Sequence, residues 1–561
     1  MKQSTNFHGG IRGADTPKQS RLFEGRFGRM FRNLPPAKFD DADLVKLAAE
    51  GGGMLSEPEM KNGKPAAAPE TQNPPDGEEN FDIPAGYTYL GQFIDHDITF
   101  DPASSLDRIN DPEALTDFRT PRLDLDCIYG RGPDDQPYMY DQKPDDARKF
   151  ALGEPMTFDG KPSNSKDLPR FRRRALIGDK RNDENVIVSQ LQSAFLQFHN
   201  KMVDAMGEHA DFASVQQAVR WHYQYIVLND FLPRICGDET INSILPHLEK
   251  GKSIFDAPPR LRFYHWKNDA FIPVEFSVAA YRFGHSMVRP IYRLNAELDM
   301  GGAELKEDDS LKGRNLIFAG VSQRALNGFG NFPLQWAIDW RLFFGDISKT
   351  KFDKHRVQPS YKIDSSLVNP LGFLAEFSKI DSVLPLDRLT AENFQAPAER
   401  AGVPPNLALR NLRRGAMMGL PSGQDVARAM GLTPLISSKI FVGKAQLNDV
   451  GAIDAKQIGD IAPALANNTP LWAYVLAEAT AQWHDEITKR NLTGAAANFV
   501  GTRLGAVGAR IVAETLIGLM LADGQSFLSQ DANWLPSATA DGSVKRDYSM
   551  VDFLKFAGLH P

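Results

Sequence analysis

The chain is 561 residues long, 42% hydrophobic and 10% aromatic, with a formal net charge of -7. Such a composition supports one large core with decorations or several smaller domains, and the acidic balance excludes a general polyanion-binding surface, so nucleic acid is not an expected partner. Two cysteines, Cys127 and Cys236, rule out a disulfide-rich scaffold and a four-thiolate metal site and leave open whether they pair with each other.

From the amino end, Met1-Lys2-Gln3-Ser4-Thr5 opens a segment without the apolar core of a secretory signal. Residues 1–80 are poor in periodicity and read as an amino-terminal extension. Within it, Gly51 to Asn80 reads as a flexible connector, marked by Gly51-Gly52-Gly53, Pro65, Pro69, Pro74 and Pro75. From Phe81 onward, helical periodicity alternates with loops rich in proline and glycine. The spacing of Val188, Leu191, Phe195, Phe198 and Met202 predicts a buried helix. Val274, Val278, Tyr281, His285 and Val288 predict another, ending near Arg289-Pro290. Leu504 to Leu521 predicts a third. Its most apolar part, Ile511 to Leu521, carries Glu514 and is too short to span a bilayer, so no transmembrane segment is expected. The expectation is a mainly α protein with few short strands, one large domain over residues 81–561 behind an extended amino-terminal arm.

Polar clusters interrupt this pattern. In Tyr89-Leu90-Gly91-Gln92-Phe93-Ile94-Asp95-His96-Asp97, Gln92 and His96 share a helix face while Asp95 and Asp97 project to either side. A polar group of that density in an apolar segment is costly to bury without partners. The loop Thr120-Pro121-Arg122-Leu123-Asp124-Leu125-Asp126 alternates oxygen donors in the way a hard cation requires, although an acidic surface turn has the same composition. Arg181-Asn182-Asp183-Glu184 reads equally as an acidic helix start. His285 replaces an apolar residue on its stripe; it is either a core histidine bonded to a carbonyl or a metal ligand whose other nitrogen needs an acceptor. Asn411-Leu412-Arg413-Arg414 has the plain reading of a basic helix end.

In their order along the chain, these clusters together resemble the animal-type haem peroxidases of the peroxidase–cyclooxygenase superfamily, most of all its bacterial members. The resemblance runs from roughly Phe81 to the carboxyl end. It implies a haem peroxidase fold and an enzyme that reduces hydrogen peroxide while oxidising small donors such as halide, thiocyanate or phenol. It implies that His96 is the distal base, Arg181 the distal cation and Gln92 a wall of the peroxide pocket. His285 becomes the proximal iron ligand, Asn411 the acceptor for its far nitrogen, and Arg414 the partner of a haem propionate. Asp95 and Glu184 match carboxylates that form ester links to haem b. Asp97, Thr120, the Arg122 carbonyl, Asp124 and Asp126 match a calcium site.

Two positions depart from the family pattern. Asn185 stands where some members carry a methionine bonded to haem, so that link cannot form and efficient chloride oxidation is not expected. Asp126 stands where the family often has serine, which would place three carboxylates on the cation. One competing function is a haem-dependent fatty-acid dioxygenase, for which Tyr281 is the radical candidate on the proximal helix. Another is a non-catalytic adhesion or matrix protein, against which the retention of His96, Arg181 and His285 speaks. His265 is a competing ligand, set aside because Lys267, Asn268 and Asp269 give it a loop setting. Calcium suits an extracellular location, with the cytoplasm as the alternative, and the oligomeric state is left open.

Overall fold

The computed structural model describes residues 25–49, 51–56, 60–61, 64–65, 76–99, 116–117, 119–141, 147–158, 161–248, 253–266, 269–296, 314–318, 326–351, 355–372 and 406–560. Its helices include α1 (Asp41–Ala48), α2 (Gly86–Ile98), α3 (Val186–Met206), α4 (Phe212–Ile226), α5 (Leu407–Met417), α6 (Leu471–Lys489) and α7 (Ala506–Ala522). The described strands are short and pair in small sheets of two or three. The fold is mainly α, as the periodicity predicts, and no described helix is long and apolar enough to cross a membrane.

The predicted helix through Val188 and Met202 is α3. Asn185 caps it by accepting the Ile187 and Val188 N–H groups, and Val188, Leu191, Phe195 and Phe198 are fully buried. Phe93 of α2 stacks on Phe195 of α3 with ring centroids 4.4 Å apart. That contact sets α2 across α3 and leaves the Gln92 and His96 face to look elsewhere.

The stretch from Val274 does not form the regular helix that its spacing predicts. A π-helical turn at Glu275–Ala279 gives way to a 3-10 helix at Ala280–His285, with the backbone broken at Ala279 (φ -128°, ψ -78°). Tertiary bonds to Glu275 and a local bond from Arg282 accompany the departure from a regular helix. The Glu275 carboxylate accepts the Met30 and Phe31 N–H groups at 3.0 and 3.1 Å, and Arg282 Nε donates to the Ser277 carbonyl at 3.0 Å. Three residues per turn also eclipse positions i and i+3, which brings Arg282 alongside His285.

Residues 25–49 and 51–56, which the sequence reading sets apart in the extension, contribute to the same core. Gly25–Gly28 pairs with both Ile272–Pro273 and Thr116–Asp117. Phe31, Leu44, Leu47 and Met54 join the hydrophobic cluster that runs through the domain. Residues 57–59, 62–63 and 66–75 of the glycine- and proline-rich connector lie outside the described residues. Cys127 and Cys236 are separate buried thiols.

α6 meets α7 through Glu478, which accepts the Val507 and Gly508 N–H groups at the start of α7. Burial outweighs those bonds and pushes the carboxyl up to about 7. A raised folded value makes its contribution most favourable below the ordinary carboxylate range, and that contribution fades as pH rises from about 4.5 through 7. Glu478→Gln keeps an acceptor without the charge. It is expected to raise stability at pH 8 by about 1–3 kcal/mol and leave it unchanged at pH 4 in denaturant titrations.

Candidate active site

A cavity of about 700 Å³, within the range of cofactor pockets, gathers residues from distant parts of the chain. Gln92, Asp95 and His96 reach it from α2, Arg181 and Glu184 from the segment before α3, and His285 from the 3-10 helix. Tyr281, Arg282 and Arg410 line it too. Phe329, at φ 58° and half-exposed, stands at its edge. The segment that brings Phe329 in closes tightly on residues 183–186. Gly328 N–H and Phe329 N–H donate to the Glu184 and Asp183 carbonyls, and a Cβ on Gly328 would lie 1.7 Å from the Asp183 oxygen.

On the α2 side, the His96 ring meets Asn182 Oδ1 with Nδ1 at 2.7 Å. Burial and the nearby Arg181 hold its pKa down to about 4, so it is neutral at ordinary pH. Arg181 acts as a clamp on the end of α2. It donates to the carbonyls of His96 and Thr99, where the helix dipole favours a cation, and pairs with Asp179 at 2.7 Å. Burial alone would raise the Asp179 carboxyl, but Arg181 and Arg119 together draw it well below the usual range. The guanidinium that faces the cavity is therefore part of an ion pair. Gln92 is held at both ends, donating to Glu184 Oε1 and accepting from Asn185 Nδ2 at 3.2 Å.

On the other side, enclosure followed by Arg282 and Arg410 lowers His285 to about 3, leaving a neutral imidazole. Asn411 of α5 places Nδ2 2.8 Å from His285 Nδ1, while its Oδ1 accepts from Arg282 at 3.3 Å. A ligand on Nε2 needs a proton on Nδ1 and hence the amide oxygen towards the ring, a half-turn of the Asn411 amide. Arg282 is depressed to about 10 by burial and by Arg414. Arg414 does not line the cavity, whereas Arg410, one turn earlier on α5, does. Sequence reasoning missed Arg282 and Arg410; the signal for Arg282 was its three-residue spacing from His285.

Asp97 turns away from the cavity towards the predicted acidic loop. One oxygen each from Asp97, Asp124 and Asp126 lies within 4.8 Å of the others. Leu125, forced to φ 58°, aims its N–H at Asp97 Oδ2 at 3.2 Å. Thr120 Oγ1 donates to Asp124 Oδ2 at 2.7 Å. Asp97 Oδ1 is fully buried without a hydrogen-bond partner among the described residues. Desolvation and the charge of Asp124 push Asp97 up to about 7, against the opposing pull of the Leu125 N–H and Arg119. The competing His265 sits apart, its Nε2 2.9 Å from the Arg262 carbonyl.

Sequence comparison finds a family in the same place. Residues 112–357 match the animal haem peroxidase family. The peroxidase match contains Thr120, Asp124 and Asp126 of the acidic loop and Arg181, Glu184 and His285 of the cavity, to which the fold adds Gln92, Asp95, His96 and Arg410 from outside the match. A curated relative, the probable oxidoreductase PXDNL of Homo sapiens, is 29% identical over 22% of this chain. The chain spans only 8% of that protein and less than a third of the chorion peroxidase of Drosophila melanogaster. Among solved structures, peroxidase A from Dictyostelium discoideum has a TM-score of 0.50 at 13% identity, with 99% of this chain and 97% of that one covered. The fatty acid alpha-dioxygenase of Oryza sativa also scores 0.50, at 14% identity over 95% and 81%. Those two likenesses concern the fold.

Proposed function

We propose that the chain is a haem peroxidase that reduces hydrogen peroxide and oxidises small donors. The observation that carries this reading is a single cavity holding His96 and Arg181 together with the neutral His285. The donor set fits haem: His285 to ligate iron, and Arg282 and Arg410, depressed or crowded by like charge, to receive the propionates. A carboxylate on Arg282 would release Asn411 Oδ1 to accept from His285. Asp95 and Glu184 line the cavity as the carboxylates for ester links. Asp97, Asp124 and Asp126, with Thr120 and the Arg122 carbonyl, would hold calcium, a use for the unpartnered Asp97 oxygen. A calcium site suits an extracellular setting.

Haem, when bound, supplies the redox chemistry. This chain's part is to orient peroxide and move its proton. Neutral His96 takes the proton from one peroxide oxygen and returns it to the other. Gln92, fixed by Glu184 and Asn185, presents its amide beside that path. Arg181 with Asp179 provides a dipole of fixed direction rather than a bare charge.

The purified chain is expected to show a Soret band and to oxidise bromide, iodide, thiocyanate or guaiacol with peroxide. His285→Ala should lose both; an unaffected band and activity would refute the assignment. Haem wholly removed by acid–acetone after peroxide turnover would count against the esters. The dioxygenase alternative draws on Tyr281, whose buried hydroxyl lines the cavity 3.3 Å from the Gly91 carbonyl. Oxygen uptake with an unsaturated fatty acid, abolished in Tyr281→Phe, would favour it over peroxidation.

A further inference from the structure

We infer that Asn182 and Gln192 are positioning residues that hold the His96 ring with its proton on Nδ1, using the Cys127 carbonyl of the acidic loop as a fixed reference. The inference rests on the haem peroxidase reading of the cavity. It concerns residues to which neither the sequence motifs nor the family likeness assign a role.

Side-chain amides have two ends that can exchange by a half-turn, so one amide beside a histidine settles nothing. Here a chain of them ends on a group that cannot turn. Gln192 Nε2 lies 3.2 Å from the Cys127 carbonyl, an acceptor only, so the nitrogen end must face it. That leaves Gln192 Oε1 to accept from Asn182 Nδ2 at 2.7 Å. Asn182 Oδ1 is then the end 2.7 Å from His96 Nδ1, and an oxygen there demands the proton on Nδ1. The Nε2 lone pair is left for the cavity that His96 lines. Asn182 and Gln192 are fully buried, which keeps water from offering either amide another partner.

The other distal residue is referred to the same loop. Arg119 bridges Asp126 at 3.2 Å and Asp179 at 2.8 Å, and Asp179 holds Arg181. Base and guanidinium thus take their orientation from one short stretch, Asp126-Cys127. Asn182 contributes orientation and no proton of its own.

The test uses the full chain with its haem. Hydrogen cyanide must give its proton to a base as it binds, and carbon monoxide carries none. The ratio of the two binding rates, followed at the Soret band on ferric and ferrous protein, therefore reports proton acceptance apart from access. Asn182→Ala and Gln192→Leu are each expected to lower that ratio roughly 10–100-fold. Gln192→Glu keeps an acceptor for Asn182 and, when protonated, a donor for Cys127; it should stay close to the wild-type ratio. Should Asn182→Ala fail to fold, the two Gln192 variants decide alone. An unchanged ratio in the variants overturns the inference, as does a parallel fall in both rates, which would mark a packing role. A wild-type chain with no Soret band refutes the haem reading instead.

Discussion

Exchanging His96 for leucine is expected to slow peroxide reduction by about 10²–10⁴-fold while haem uptake is retained, as measured by stopped-flow peroxide consumption beside the Soret spectrum. The size follows from what the ring supplies. Peroxide must lose a proton from one oxygen and gain one on the other, and His96 is neutral and lines the cavity. Gln92 is an amide tied at both ends, and Arg181 cannot deprotonate, so neither substitutes as a base. Leucine matches the ring roughly in volume. The added cost is an unsatisfied Asn182 oxygen, about 1–3 kcal/mol of stability, which urea titration would register. A His96→Leu protein that consumes peroxide at the wild-type rate would move the base elsewhere.

On the proposed calcium reading, chelation is expected to destabilise the fold by on the order of 3–5 kcal/mol, the range for an uncompensated buried charge. Asp97 is wholly inaccessible, one of its oxygens has no hydrogen-bond partner among the described residues, and Asp124 and Asp126 crowd it. The damage should reach the cavity, because Asp97 adjoins His96 on α2 and Asp126 is tied through Arg119 and Asp179 to Arg181. Unfolding curves with chelator, with calcium restored and with magnesium in its place make the measurement. Identical midpoints in all three would remove the cation from the reading.

Much of the site could be read from residue spacing. Gln92 and His96 four apart, with aspartates on either side, describe a helix that faces two environments at once, and α2 does so. The buried face of α3 was equally legible, since burial follows periodicity where nothing competes with it. The Val274–Val288 stretch was not. Its apolar spacing suits a helix, but Glu275 and Arg282 bond to neighbouring backbone and rewind it. Arg282 consequently stands beside His285, and Arg410, which the sequence reading did not single out, lines the cavity. The packing of the amino-terminal segment was not legible for a related reason: Phe31, Leu44 and Leu47 bury against elements hundreds of residues away, and weak local periodicity carries no sign of that.

By itself the sequence determined the residue types, their order, and which positions share a helix face, because side-chain chemistry and backbone period are local properties. It thereby determined a mainly α chain with two histidines, a guanidinium and a set of carboxylates at telling spacings. Only the tertiary structure decided which of these meet. It brought His96, Arg181 and His285 to one cavity, paired Arg181 with Asp179, and ran an amide chain from His96 to the Cys127 carbonyl. The physical reason is that hydrogen bonds and ion pairs act over a few ångströms, and those distances exist only after the core has packed.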